Sequence, residues 1–358
     1  MKRKSSFQMF DLLDLIKFQT RDLWRNCFHE SEDFMDIYFD KKYTHNTNFT
    51  LRHRGETLAA AQLFPYRLTI YGSVTRMGYV SGLATNPFCQ GKGYAGRVLR
   101  ACHRKLLEQN TPLSMLIPGD ESLRKFYESP QHGSYWTASY RKTEALDISG
   151  DGDFGAISVT CLDEWDNSLF VFFHRLTHDL PFMVHPSASD FFAAIEAAHL
   201  GEAYLLVAHC GKRMVGLCLA VREDDGRIMI RSLAIAEAEA RAAFVDWLCR
   251  HCEVEKVWRR FAARGTDPGA EPYAMARVTN AYQFLSCIAA ANPDFSMRIG
   301  VGGDQDLPVN NGWYEVKDGS VNYTDQIPER IVTPGGLAAM FLAAQATRAW
   351  QQLAAATC

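Results

Sequence analysis

Alternation of apolar and polar residues marks 50–54, 57–71 and 73–84 as β-like runs, broken by Gly55-Glu56 and Tyr71-Gly72. A period of two with glycine-bearing turns describes antiparallel hairpins. The pattern then becomes helical over 97–107. The same plan returns further along. Runs at 203–210, 214–221 and 227–235, joined by Gly211-Lys212 and Asp224-Asp225-Gly226, lead into a helical stretch at 236–250. An internal repeat of this kind predicts two copies of one folding unit. Turn residues crowd 263–269, and a smaller unit follows: helical 279–290, extended 295–301, hairpin signals at Asn311-Gly312 and Asp318-Gly319, and an alanine-rich helix from Gly336. These signals predict a small α+β unit.

The two copies differ at one place that carries chemistry. Gln90-Gly91-Lys92-Gly93-Tyr94-Ala95-Gly96 opens directly into the first copy's helix. The first N–H groups of a helix have no intrahelical partner and lie at the positive end of its dipole, so such a loop suits a pyrophosphate. The second copy has Ala236-Glu237-Ala238-Glu239-Ala240 there, whose carboxylates repel phosphate, and it reads as degenerate. Gly91, Gly93 and Gly96 also fit a dinucleotide fingerprint, with Asp120 as its acid. The context excludes it: that fingerprint directly follows a first parallel strand, whereas here Asn86-Pro87 and a series of hairpins precede the loop. No Ser or Thr follows Gly91-Lys92, which removes a Walker loop.

Composition adds limits. At 358 residues the chain exceeds one ordinary core, so two or three domains are expected. Hydrophobic residues at 47% and charged residues at 22% describe an ordinary globular protein. A net charge of −3 argues against a nucleic-acid partner. The basic start Met1-Lys2-Arg3-Lys4 leads into an apolar run at 10–16 interrupted by Asp11 and Asp14, which makes no signal-peptide core, and no stretch reads as membrane-spanning. Ten cysteines without framework spacing fit reduced thiols and a cytoplasmic location. Cys249-Arg250-His251-Cys252 lacks a second ligand pair, and His174 and His178 lack a third ligand, so no metal site is expected.

Gln90-x-x-Gly93-x-Ala95, preceded by Tyr79-Val80-Ser81-Gly82-Leu83-Ala84-Thr85-Asn86-Pro87, resembles the GNAT superfamily of N-acetyltransferases. Leu116-Ile117-Pro118-Gly119-Asp120 and Phe126-Tyr127 are similar to the branch typified by the enhanced-intracellular-survival acetyltransferases. Met275-Ala276-Arg277-Val278, Asn311-Gly312-Trp313-Tyr314 and Thr333-Pro334-Gly335-Gly336-Leu337 extend the likeness into the last unit. The resemblance implies a mixed α+β chain. Residues 1–18 would be a tail or first helix, 19–150 an acetyl-CoA-binding domain, 151–265 its degenerate copy, and 266–358 a sterol-carrier-protein-like domain.

It also implies a chemistry: acetyl transfer from acetyl-CoA to a primary amine by direct attack in a ternary complex. Leu83, Ala84 and Thr85 would pair with pantetheine amides and direct one N–H at the acetyl oxygen. Gly91, Lys92, Gly93, Tyr94, Ala95 and Gly96 would hold the pyrophosphate, with charge from Arg97, and Ser122 completes the cofactor set. Tyr127 falls at the branch's general acid, although 127–135 runs longer than the short turn usual there. Trp24, Phe34 and Asp36, with Asp33, Tyr38 and Phe39 near them, lie where similar proteins line the acceptor pocket, and aromatic walls with carboxylates suit a cation. Phe34 and Tyr38, four residues apart, equally fit the core stripe of a helix. In similar proteins the terminal carboxylate acts as base; here a helix expected over 337–356 leaves only Thr357 and Cys358 beyond it. The acceptor is a small molecule or peptide, with a homo-oligomer one option for assembly. A CoA-binding sensor without catalysis and a lipid carrier are the competing readings.

Overall fold

The computed structural model describes residues 12–147, 156–180 and 182–343. Two helices come first, α1 (Leu12–Phe28) and α2 (Glu32–Lys41). The Ser31 side chain caps α2 by accepting from the Phe34 amide at 3.2 Å, satisfying one of the free N–H groups at a helix start. The strands β1 (Asn48–His53), β2 (Glu56–Ile70) and β3 (Ser73–Thr85) then form the expected antiparallel series. Next come α3 (Tyr94–Glu108), β4 (Leu113–Leu116), α4 (Glu121–Glu128) and β5 (Trp136–Thr137).

The second copy follows as β6 (Tyr140–Asp147), β7 (Ile157–Cys161), α5 (Asn167–Thr177), β8 (Met183–His185), α6 (Ala188–Ala198), β9 (Ala203–Cys210), β10 (Arg213–Arg222), β11 (Ile228–Ile235), α7 (Glu239–His251) and β12 (Lys256–Ala263). The last part holds β13 (Glu271–Pro272), β14 (Met275–Val278), α8 (Ala281–Ala291), β15 (Met297–Val301), β16 (Gly312–Lys317), β17 (Ser320–Tyr323), β18 (Arg330–Val332) and α9 (Pro334–Leu342). The architecture is mixed α+β.

Three sheets result. The first has the order β1-β2-β3-β4-β14-β5, with β8 added on β2; the second runs β13-β6-β12-β11-β10-β9-β7; the third is β17-β16-β15-β18. Sheet membership therefore crosses the expected boundaries near 150 and 265. Strand β6 pairs along its length with β12 of the second sheet, while β14 lies between β4 and β5 of the first. The reason is edge protection: without β14, strand β4 would present an unpaired row of backbone groups in a buried setting. All four β14 residues are buried. A buried Lys42–Asp190 pair, joined by the Tyr66 hydroxyl, further ties α2 to α6.

Two expectations in the last part change. Asp318-Gly319 is a hairpin turn between β16 and β17, with both residues at positive φ (50° and 72°). Asn311-Gly312 is not a hairpin turn. Asn311 instead pins the preceding loop, accepting from the Asp304 amide at 2.9 Å and donating to the Asp304 carbonyl at 3.2 Å. The C-terminal helix is seen as α9; the expected continuation to 356 and the residues Thr357 and Cys358 lie outside the described residues.

Candidate functional site

The site is built where β3 loses a neighbour. Strands β3 and β4 pair in parallel only from Met77↔Leu113 to Tyr79↔Met115. Beyond that point β3 continues to Thr85 while β4 stops at Leu116, so the two strands part. A bulge falls on β3 within the unpaired stretch: Ala60 pairs with Ala84 and Gln62 with Ser81, leaving Gly82 and Leu83 opposite Ala61. Bulges turn backbone groups away from the ladder, which frees them for a ligand.

Trp24 is what holds the bulge. A Cβ built on Gly82, which has φ +57°, would lie 2.2 Å from Trp24 Cζ2, so the indole fills the space a side chain would need. Its Nε1 donates to Gln62 at 3.1 Å, and Tyr38 donates to Ser81 at 3.0 Å. The residues expected in an acceptor pocket thus divide. Trp24 and Phe34 are buried with Tyr38 in one aromatic cluster, with Trp24 and Tyr38 ring centroids 4.1 Å apart. Asp36 is exposed and ion-paired to Arg21 at 2.6 Å, so its carboxylate is not brought to those aromatic faces.

After Thr85 the chain makes a short 3-10 turn at Pro87–Cys89 and enters the glycine loop. Gly91 and Gly93 have φ of 75° and 72°, a region where only glycine rests without strain. A Cβ at either position would meet nothing within 4 Å, so the loop faces open space. Gly93 is the N-cap of α3 and supplies no side-chain cap, leaving the first N–H groups of that helix for an external anion. Lys92 and Arg97 are exposed beside it, and Arg97 lies over the Tyr94 ring at 5.9 Å. Gly96 differs: a Cβ there would come within 3.1 Å of the Gln131 carbonyl, so its small size lets α3 pack on the 130–132 turn. At the end of β3 the Thr85 hydroxyl is buried with no hydrogen-bond partner among the described residues. Buried orphan hydroxyls are rare. Ser122 is exposed in α4, with its hydroxyl turned back to Asp120 at 2.7 Å.

Tyr127, on α4, packs against this end of β3. It is buried in the same apolar cluster as Val80, Leu116 and, partly buried, Leu83 and Tyr94. Among the described residues no hydrogen bond reaches its hydroxyl, and burial pushes the phenol's pKa upward. Tyr135 braces it: the Tyr135 amide donates to the Tyr127 carbonyl at 2.9 Å and the rings meet edge to face, centroids 5.9 Å apart.

Tyr135 leads to a buried polar chain that sequence reasoning missed. Its hydroxyl lies 2.6 Å from Ser114 Oγ and 2.9 Å from His103 Nε2, and His103 Nδ1 lies 2.8 Å from Asp306 Oδ2. Asp306 also takes Arg100 at 3.0 Å, while Arg277 donates to Asp304 at 2.6 Å and to the Gly133 carbonyl at 2.8 Å. Burial, then the charge of Arg277, lower the His103 pKa to about 4, so the ring is neutral at pH 7. Its Nδ1–H donates to Asp306 and its Nε2 accepts from Tyr135. Burial alone would raise Asp306, but the bond from His103 and the charges of Arg100 and Arg277 bring it down to about 2. A signal existed in the sequence. Arg277 stands inside the apolar run 274–278 and is 1% exposed, and a buried guanidinium requires a carboxylate.

These features define the class: residues 18–130 match a family model described as an acetyltransferase (GNAT) domain. Solved structures share the fold over most of the chain. A GCN5-related N-acetyltransferase from Anabaena variabilis is 16% identical with a TM-score of 0.70, covering 90% of this chain and 86% of its own. Eis1 from Mycobacterium abscessus is 15% identical with a TM-score of 0.70, covering 91% and 86%. A conserved protein of unknown function from Enterococcus faecalis is 15% identical with a TM-score of 0.71, covering 91% and 87%. Among curated proteins nothing matches. Residues 18–130 thus match a GNAT acetyltransferase domain, and the fold is shared with these proteins over most of the chain. Among the described residues no helix is long and apolar enough to cross a membrane, and no group of three potential ligands is placed to hold a metal.

Proposed function

We propose that the chain is an acetyl-CoA-dependent N-acetyltransferase whose acceptor is a primary amine of a small molecule or peptide. One observation carries this reading: the parted, bulged end of β3 is followed, through a short turn and the glycine loop, by an uncapped helix start, so residues 80–97 offer backbone groups for acyl amides and for a diphosphate on one continuous segment. The neutral amine attacks the thioester carbonyl, and the nitrogen gives up a proton to water as the carbon–nitrogen bond forms. The carbon–sulfur bond breaks, and the thiolate, as it leaves, takes a proton from an acid that solvent then reprotonates. An N–H freed at the Gly82–Leu83 bulge stabilises the oxyanion, and the Tyr127 hydroxyl supplies the proton to sulfur. The high pKa of Tyr127 suits this role, because the phenol stays protonated wherever the amine is free to react.

Residues 19–150 hold the cofactor in this reading and 151–265 are its degenerate partner. The likeness of 266–358 to sterol-carrier proteins belongs to the same reading; a four-stranded sheet followed by α9 supports it. The work would be cytoplasmic. The test is release of CoA, read with DTNB, across a panel of primary amines. Turnover with at least one amine, lost in Gly93→Glu, supports the proposal. Tight acetyl-CoA binding with every amine untouched would make the protein a sensor instead.

A further inference from the structure

The second copy keeps two backbone devices of the first while losing its glycine loop. Strands β11 and β12 pair in parallel only at Met229↔Trp258 and Ile230↔Arg259, and then part. Strand β11 also carries a bulge: Leu219 pairs with Ser232 and Ala220 with Ile230, so Arg231 is the extra residue. In the first copy the bulge presents glycine and backbone. Here it presents a guanidinium.

Between the parted strands lies a cavity of about 400 Å³, of the size that small ligands occupy. Arg231, Arg241, Arg259 and Arg260 line it, with Leu180 and Met183 contributing an apolar wall. Three of these cations have carboxylates within reach. Glu223 meets Arg260 at 3.2 Å and Arg231 at 3.8 Å, and Glu144 meets Arg259 at 3.8 Å. Among the described residues Arg241, on α7, has no ion pair, and Arg231 Nε is buried with no hydrogen-bond partner. The unpaired Arg241 and the orphaned Arg231 donor call for an added acceptor of negative charge.

We propose that this cavity is a second ligand site, for a small organic anion with a carboxylate or phosphate head and a short apolar body. Guanidinium groups hold such a head through paired charge-assisted hydrogen bonds, and the apolar wall takes the body. A CoA diphosphate is a poor candidate. The helix start beside the cavity has no glycine loop, and Glu237 and Glu239 stand on it. The assignment does not depend on catalysis in the first copy.

Calorimetric titration of the full chain with octanoate, octyl phosphate and octyltrimethylammonium tests it. One of the anions at least should bind once per chain, and the ammonium should not. Arg241→Ala and Arg231→Gln should each weaken that binding at least tenfold, a change of about 1.4 kcal/mol, at unchanged melting temperature. Arg241 is exposed, so its removal leaves folding intact. The anion that binds more tightly identifies the head group. No binding of either anion, equal binding of the ammonium, or full affinity in both variants would overturn the proposal.

Discussion

His103 Nδ1 lies 2.8 Å from Asp306 Oδ2, a contact between residues 203 positions apart with both side chains out of solvent. It links the helix that begins at the glycine loop to a loop of the last unit. Through His103 Nε2 and the Tyr135 hydroxyl it continues to the segment that braces Tyr127. The last unit is thereby part of the frame of the candidate site.

That contact predicts a pH dependence. An unfolded chain protonates its histidines below about pH 6.5, whereas folded His103 resists until about pH 4. The unfolded state therefore binds more protons across this window, and stability falls as pH drops from about 6.5 to about 4. Asp306 adds a second loss from about 3.8 down to about 2. Urea unfolding at stepped pH should resolve the first slope, and His103→Gln, which keeps a donor and an acceptor but does not titrate, should reduce it, the remainder coming from His132 and His185, whose pKa values burial also lowers.

Tyr127→Phe separates catalysis from packing. The hydroxyl has no protein partner among the described residues, so its loss should change stability by less than about 0.5 kcal/mol. Acetyl-CoA affinity should hold while kcat falls about 10²-fold or more. Unaltered turnover would leave Tyr127 as a packing residue.

The pH–rate profile gives an independent check on the same residue. Because burial raises the Tyr127 pKa, no descending limb should appear on the alkaline side before about pH 10; the rate should climb as the acceptor amine loses its proton. A fall beginning near pH 8 would assign the acid to another group.

Acetyl-CoA should bind once per chain. Only α3 combines an uncapped start with Gly91 and Gly93 facing open space. In Gly93→Glu the new side chain is strained at φ 72° and places a negative charge at the anion site, so binding should be lost by calorimetry. Two equivalents bound by the wild-type chain would show that the second copy also takes the cofactor.

Gly335 is the point where α9 meets the first sheet. A Cβ there would lie 2.2 Å from the Ser134 carbonyl oxygen and 2.7 Å from the Trp136 amide nitrogen, both backbone atoms that cannot step aside. Gly335→Ala should cost about 1–3 kcal/mol, read as a lower denaturation midpoint. It should also reduce kcat, because Tyr135 lies between the two displaced residues. Wild-type kcat in a variant of reduced stability would separate α9 from the site.

Much of this protein is decided locally and is legible in the chain itself. The period-two runs became β1 to β3 and β9 to β11 within a residue or two, because alternation and glycine turns are properties of neighbouring residues. The conformation of the glycine loop is legible for the same reason: Gly91 and Gly93 are needed by the backbone of their own segment. The exchange of β6 and β14 between sheets is not legible. A four-residue buried strand carries no mark of which edge it will cover, and long-range pairing chose it. Nor could spacing show that Trp24 fills the place of a side chain at Gly82, that Asp36 turns to Arg21, or that His103 finds Asp306. Local propensity therefore determined the elements and the loop, while tertiary packing decided which buried polar groups meet, since each must find a partner wherever the fold brings one within reach.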